Sequence, residues 1–478
     1  MLKNVGISEV LDRIRFENLW WTAETVDQHF REMPHREYFG QFLSLCTDLS
    51  VQRAIVLMGP RRVGKTVMLY HLVQELLNQG VNSQRILFIT VENPIYNNLR
   101  LETLFQYGRE ALGIREELKG WYVIFDEIQY LKDWDVHLKS LVESYRSARF
   151  IVSGSAASAL KYKSHESGAG RFTDFMLPPL TFYEFITMQN LSHMVQPTRL
   201  PFGNNQVSFY KAPDIKQFNQ RFVDYINFGG YPEAIFSESV RNNPERFIRN
   251  DVVDKVLLRD LPGLYGISNV QELNSLFTTI AYNSANEFSV ETLSSQSGCP
   301  KSTIKKYLEY LEAAFLIKTV KRINQAGKRF QRDNFFKIYL TNPSLRAALF
   351  SPVQAADEAM GALTETAIYA QWMHRINFTP WYARWNKGEV DMVGISKSKL
   401  QPEWALEIKW TDRYVKKTGE LKSLLKFCKE NNLEKALVTT MSIQEIKEHN
   451  GIELNFVPAA AYAYTIGANT LTTQHEGE

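Results

Sequence analysis

The chain has 478 residues, 44% of them hydrophobic and 22% charged, with a net charge of +3; that length exceeds a single core and predicts about three domains, and the composition excludes a disordered or fibrous chain. No apolar run is long enough to span a bilayer, and the opening residues, broken by Glu9, Asp12, Arg13, Arg15 and Glu17, lack the apolar core of a secretion signal. With only three widely spaced cysteines, Cys46, Cys299 and Cys428, there is no disulfide framework or metal-ligand pattern, so a cytoplasmic protein with reduced thiols is expected.

In chain order, His35 to Cys46 reads as a helix with Tyr38, Phe39, Phe42, Leu43 and Cys46 on one buried face. The apolar run Ala54 to Met58 then leads into Gly59-Pro60-Arg61-Arg62-Val63-Gly64-Lys65-Thr66, which fits G-x-x-x-x-G-K-[ST] at every fixed position, and Val67 to Leu77 follows as a helix. Glycines at 59 and 64 let the backbone curl its N–H groups around phosphate oxygens, and the helix N-terminus adds positive partial charge. Residues 59–67 are therefore expected to bind ATP. Lys65 would reach the β- and γ-phosphates and the Thr66 hydroxyl would complete a Mg²⁺ shell.

Arg85 to Val91 reads as a second buried strand, and Trp121 to Glu127 as a third ending in two acids. Asp126 would hold Mg²⁺ through water, and Glu127 would orient or deprotonate the attacking water. Arg149 to Ser155 is a further apolar strand whose Ser153 and Ser155 are candidate γ-phosphate sensors, although a strand-ending turn explains them equally well. Arg171, in Gly168-Ala-Gly-Arg171, is a candidate transition-state arginine, acting in its own chain or in that of a neighbouring copy. Strands alternating with helices, with acids at strand ends, predict a parallel αβα sheet.

From Met188 to Gln217 the sequence is polar and irregular and reads as an insertion or linker. Arg246 to Leu261 is predicted to be a helix stopped by Pro262-Gly263. Val290 to Gln296 and a second helix capped by Ser302 make a helix-turn-helix, with Ile304, Tyr307, Leu308, Leu311 and Phe315 buried and Lys301, Lys305 and Lys306 outside. Leu316 to Leu340 then looks like a two-stranded wing turning at Gly327 beside Lys328 and Arg329. Ten bases against five acids between 287 and 340 concentrate positive charge there, as phosphate binding requires. Nucleic acid, DNA foremost, is the expected partner, with a plain packing module as the alternative.

Past Pro352, Glu365 lies in a predicted helix, Glu358 to Met373, and two strands carry Gly388-Glu-Val-Asp391 and Leu406-Glu-Ile-Lys409. Alternation puts Glu389 with Asp391, and Glu407 with Lys409, on one face. Asp391 and Glu407 could hold Mg²⁺, Glu365 could complete its shell, and Lys409 could orient a water or stabilise a pentavalent phosphate. A half-exposed strand would show the same alternation.

Several stretches together resemble the bacterial and archaeal family in which a AAA-like P-loop ATPase is fused to a C-terminal uncharacterised domain with a PD-(D/E)xK restriction-endonuclease-like core. They are the phosphate loop at 59, Phe-Asp-Glu-Ile-Gln at 125, Val-Ser-Gly-Ser at 152, Ala-Gly-Arg at 169, Leu-Pro-Pro-Leu-Thr-Phe-Tyr-Glu-Phe at 177, Phe-Gly-Gly-Tyr-Pro-Glu-Ala at 228, Leu-Arg-Asp-Leu-Pro at 258, Lys-Ile-Tyr-Leu at 337, and the Gly-Glu-Val-Asp and Leu-Glu-Ile-Lys pair. The resemblance implies an α/β protein in four parts: a P-loop ATPase core over 1–187, an insertion and helical lid over 188–265, a winged helix-turn-helix over 266–350 and a nuclease-like α/β domain over 351–478. It implies ATP binding by Lys65, Thr66, Asp126 and Glu127. Members commonly carry an aspartate where Thr341-Asn342 stand here. A regulatory ATP-binding scaffold with a catalytically silent nuclease fold is the rival reading.

Overall fold

The computed structural model describes residues 6–114, 119–154, 170–202, 205–329, 334–375 and 378–472. The chain forms two compact units, Met1–Pro178 and Pro179–Glu478.

In the first unit five strands, β1 (Ala54–Met58), β2 (Ile86–Thr90), β3 (Tyr122–Asp126), β4 (Arg149–Gly154) and β5 (Phe172–Met176), form one parallel sheet in the order β2-β3-β4-β1-β5. β1, β3 and β4 are buried along their whole length, which is why they read as continuous apolar runs rather than alternating ones. The helix after the phosphate loop spans Lys65–Asn78. The earlier predicted helix is shorter than its pattern, Phe39–Thr47; Phe39, Phe42 and Cys46, with Tyr38 just before it, are buried as the spacing implies, while Leu43 is half-buried. The sheet order places β1 between β4 and β5, so the turns after β1, β3 and β4 open at one edge.

The second unit opens on Phe182–Thr187, a helix started by a reciprocal Thr181–Glu184 capping box. The stretch read as irregular contains a hairpin, β6 (Gln196–Phe202) with β7 (Asn205–Lys211). Its prolines hid it. In a two-stranded ribbon every strand is an edge, where a residue without an N–H is tolerated. This hairpin shares a core with the Ile215–Phe228, Met360–Trp372 and Ala459–Thr472 helices, through Phe209, Phe222, Tyr369 and Tyr464 among others.

Glu245–Asp254 and Val256–Asp260 are π-helical, and an α-helix, Leu261–Tyr265, follows. Pro262 does not stop this run. It sits in the first turn of that last helix, where its missing N–H costs nothing, and Gly266 at φ +64° ends the run instead. Next come Val270–Tyr282, β8 (Glu287–Ser289), Val290–Ser297, Lys301–Ala313, β9 (Ile317–Ile323) and β10 (Phe335–Leu340). Ser302 lies within the third of these helices, which begins after Pro300, so it is not the cap.

The C-terminal strands are β11 (Trp381–Trp385), β12 (Gly388–Ile395), β13 (Pro402–Glu407), β14 (Lys435–Thr440), β15 (Glu445–His449) and β16 (Ile452–Pro458). They join the preceding three in one sheet, ordered β15-β16-β14-β13-β12-β11-β9-β10-β8. The junction is a parallel pairing of Tyr382 with Arg322 and Ala383 with Ile323. The sheet therefore runs unbroken across position 350, with only β11 and β9 between β12 and β10. The turn at Gly327 packs onto the C-terminal part: a Cβ there would stand 2.4 Å from the Pro402 ring, and the Asn431 amide donates to the Gln325 carbonyl at 2.9 Å.

Candidate functional site

The phosphate loop leaves the buried end of β1. Gly64 has φ +97°, a conformation open to glycine, and at Gly59 a Cβ would lie 2.2 Å from the Leu177 carbonyl oxygen. Lys65 is buried, and its ammonium donates to the carbonyls of Gly59 at 3.1 Å and Pro60 at 2.8 Å. Arg61 donates to the Tyr130 hydroxyl at 2.9 Å, Arg62 adopts φ +63°, Pro60 and Val63 are buried, and Val67 lies half-buried in the first turn of the helix. A residue not foreseen also holds the loop: Arg36, buried, donates to the Val63 carbonyl at 2.7 Å and to the Pro178 carbonyl at 2.9 Å. A charged residue opening an otherwise apolar helical pattern was its only sequence signal.

The two acids stand at the same edge. Asp126 is 1% exposed; one carboxylate oxygen accepts from the Thr66 hydroxyl at 2.7 Å, and the other accepts from the Ser153 hydroxyl. Glu127 turns out of the strand at φ +58°, its N–H donates to the Ser153 hydroxyl at 3.1 Å, and the Gln129 amide holds its carboxylate. Lys65, Thr66, Asp126, Glu127 and Ser153 are thus brought together. Burial, and then the charge of Glu127, push Asp126 up to about 6. A buried carboxylate beside a hydroxyl, at the mouth of an anion-binding loop, is a donor set that fits Mg²⁺ bound with nucleotide phosphates.

The same burial predicts a pH effect. An Asp126 pKa above its unfolded value means that the unfolded chain gives up this proton first as pH rises, so stability falls through that interval and stays lower above it. Asp126→Asn is expected to stabilise the nucleotide-free protein in EDTA by about 2–3 kcal/mol at pH 7.5 and by almost nothing at pH 4. Hydrogen exchange of peptides covering 122–127, variant against wild type at each pH, checks this, and equal changes in protection would refute it.

Arg171 is not brought to this site. The Ala54 N–H donates to the Arg171 carbonyl at 2.9 Å, and β5 runs parallel to β1, so Arg171 lies at the sheet edge opposite the phosphate loop, paired with Glu143 at 3.2 Å. A role for it at the phosphates of its own chain is therefore corrected by strand direction. Ser155, Gly168 and Ala169 lie outside the described residues.

In the second unit the predicted acids also converge. Asp391 accepts at one oxygen from the Ile408 N–H at 2.8 Å and from the Lys409 ammonium at 3.1 Å, and Lys409 also pairs with Glu407 at 2.8 Å. Glu365 accepts from the Tyr339 hydroxyl at 2.6 Å. At the centre is Lys337 of β10, which read in sequence as one more base of the wing. It is 2% exposed and lies 2.8 Å from Glu365, 2.5 Å from Glu389 and 4.0 Å from Asp391. Arg384 pairs with Glu389 from the other side.

Burial works against charge on Lys337, yet Glu365, Asp391 and Glu389 hold it well above the usual lysine range. Burial likewise opposes ionisation of Asp391, but Lys409 and Lys337 keep it below the usual carboxylate range. Burial and then Asp391 raise Glu407 to about 7, and burial raises Glu365. Among the described residues, no three His, Cys, Asp or Glu side chains are arranged to hold a metal ion. The lysines stand between the carboxylates instead. The metal assignment of Asp391 and Glu407 is thus not met by this geometry, because the ammonium of Lys409 bridges the two acids.

Of the expected nucleic-acid residues, Lys301 is exposed and 3.6 Å from Glu291, and Lys305, Lys306 and Lys328 are exposed. Arg329 lies over the Trp381 ring, 4.4 Å from its centroid. Asn342 is fully buried; it accepts from the Ser344 N–H at 2.9 Å and donates to the Tyr225 hydroxyl at 3.2 Å, a structural position.

Residues 51–186 match the AAA domain family, and residues 219–356 match a domain of unknown function, DUF8612. The first match and the site geometry define an AAA-like P-loop ATPase domain on a parallel central sheet. The chain is 24% identical over 411 residues to an uncharacterized protein of Haemophilus influenzae, covering 84% of this chain and 92% of that one. It is 21% identical over 322 residues to an uncharacterized protein of Methanocaldococcus jannaschii, covering 66% of each. Among solved structures, the ORC2 protein of Aeropyrum pernix, in ADPNP–ADP complexes, aligns with TM-score 0.37 and 12% identity over 61% of this chain and 91% of that chain. Cdc6p of Pyrobaculum aerophilum aligns with TM-score 0.29 and 14% identity over 68% and 97%. No helix among the described residues is long and apolar enough to cross a membrane.

Proposed function

We propose that this protein is a Mg²⁺-dependent ATP-driven switch that binds nucleic acid, DNA foremost, through a winged helix at 266–350 and cleaves it at a PD-(D/E)xK type of site made by Glu365, Asp391, Glu407 and Lys409. In the ATPase unit Lys65 and the loop N–H groups bind the phosphates, Thr66 and Asp126 hold Mg²⁺, Ser153 fixes Asp126, and Glu127 draws the proton from the attacking water. The nucleic-acid reading is supported by the strand order β8-β10-β9 beside three helices, with Lys305 and Lys306 exposed on the third. The cleavage reading rests on one observation: the Lys409 ammonium lies 3.1 Å from Asp391 and 2.8 Å from Glu407, and Lys337 links Glu365 to the same network. Lysine beside two strand carboxylates can stabilise charge on a phosphate under attack.

A second reading is favoured by the lysines that separate the acids: a regulatory ATP-binding scaffold whose nuclease-like fold is silent and acts through protein partners. ATP turnover with and without supercoiled DNA in Mg²⁺, on wild type and Lys65→Ala, with cleavage followed on a gel, separates the two. Lys65-dependent turnover stimulated by DNA, with nicking abolished by Asp391→Ala, is expected. Turnover indifferent to DNA that stays intact would select the scaffold.

A further inference from the structure

The acidic network of the second unit is drawn from both parts of its nine-stranded sheet. Glu389 and Asp391 come from β12, Glu407 from the end of β13, and Glu365 from the Met360–Trp372 helix. The cation at their centre comes from β10, outside the strands that carry the acids. The Lys337 side chain is 3% exposed, so no water shell shares its charge. Tyr339, two residues along the same strand and on the same face, donates to the Glu365 oxygen that Lys337 also touches. Glu389 is taken by Lys337 on one oxygen and Arg384 on the other. Asp391 faces Lys337 with one oxygen and Lys409 with the other. Only Glu407 retains a buried oxygen with no hydrogen-bond partner among the described residues.

One oxygen each of Glu365, Glu389 and Asp391 thus faces the fixed Lys337 ammonium. A metal ion seated on those three oxygens would stand within a few ångströms of the Lys337 ammonium, and like charges that close repel in a buried site.

We propose that Lys337 is an internal cation that competes with a divalent metal ion for Glu365, Glu389 and Asp391, holding the C-terminal acidic site closed to metal. The proposal rests on the cleavage reading of these acids, and deepens it by naming the cation that keeps a metal ion from them.

The test is Mn²⁺ binding, measured from the loss of the free-ion EPR signal on nucleotide-free, full-length protein carrying Asp126→Asn to remove the cation site of the first unit. Against that parent, Lys337→Met is expected to bind one Mn²⁺ about tenfold more tightly or better, Lys337→Arg to behave as the parent, and Asp391→Asn added to Lys337→Met to abolish the gain. No tightening in a folded Lys337→Met protein, or a gain that survives Asp391→Asn, would overturn the proposal. Should Lys337→Met fail to fold, Lys337→Met/Glu365→Gln is compared with Glu365→Gln alone. Tighter Mn²⁺ binding by the double variant supports competition, and equal binding overturns it. Cleavage is scored separately. Tightened Mn²⁺ binding without DNA cleavage in any variant would leave this inference standing and defeat the nuclease reading. Cleavage by wild type with unchanged Mn²⁺ affinity in the variants would do the reverse.

Discussion

Glu127→Gln is expected to lower ATP turnover by ~10² to 10⁴-fold while ATP binding is kept. Glutamine preserves the size and the hydrogen-bonding reach of the side chain but cannot accept a proton. In the proposed mechanism binding depends on other groups: the loop N–H donors, the Lys65 ammonium and the Thr66–Asp126 pair, none of which needs Glu127 to be charged. The left-handed backbone at Glu127 and its N–H bond to Ser153 place the carboxylate clear of the strand end. Glutamine has no Cβ branch and makes no new demand on that backbone. Lys65→Ala is the contrasting variant, because it removes the cation proposed to meet the phosphates and should lose binding and turnover together. Phosphate release and titration with a fluorescent ATP analogue read the two properties separately. A Glu127→Gln protein that turns over ATP within a few-fold of wild type, or that no longer binds it, would remove Glu127 from the role of base.

The contrast between the two units explains what a reader of the sequence can see. A phosphate loop is local: Gly59, Gly64, Lys65 and Thr66 are fixed by spacing along one strand–turn–helix, so the residues that meet in space are neighbours in the text. Asp126 and Glu127 are legible for a related reason, since acids at the end of a buried strand must open onto the carboxyl edge of a parallel sheet. The distance of Arg171 from the phosphate loop of its own chain is not legible in the same way, because it depends on which strand follows it and in which direction that strand runs, facts set by β1–β5 pairing rather than by its own surroundings.

Lys337 was hidden for a different reason. It stands among ten bases in a basic stretch, and charge counting treats every base as facing solvent. Its setting in Phe335–Leu340, where Lys337 to Leu340 are all buried, was the available signal. A lysine inside a buried strand needs a carboxylate partner, and Glu365 is one of few acids in an otherwise apolar helix. The hairpin at 196–211 is masked in the sequence by Pro197 and Pro201, since proline argues against a central strand but not against a two-stranded ribbon.

Lys337 also carries the largest stability effect expected in the second unit. Lys337→Met should destabilise the β10–β12 region by about 3–5 kcal/mol, because it strips the central cation from the largely buried Glu365 and Asp391 and from the half-buried Glu389. The loss comes from stranding the acids rather than from losing attraction as such, and the two origins make opposite forecasts for a double variant. Lys337→Met/Glu365→Gln removes one charge of each sign, so most of the loss should return if stranded charge is the cause. Because the chain has two compact units, a single global unfolding curve would mix their transitions. Hydrogen exchange of peptides covering 335–340 and 388–395 reads the relevant strands directly. Protection lost in Lys337→Met and largely restored in the double variant is the expected pattern. Equal loss in both would mean that the lysine acts through its packing against Tyr382, over whose ring its ammonium lies at 5.5 Å, and not through the acids it separates.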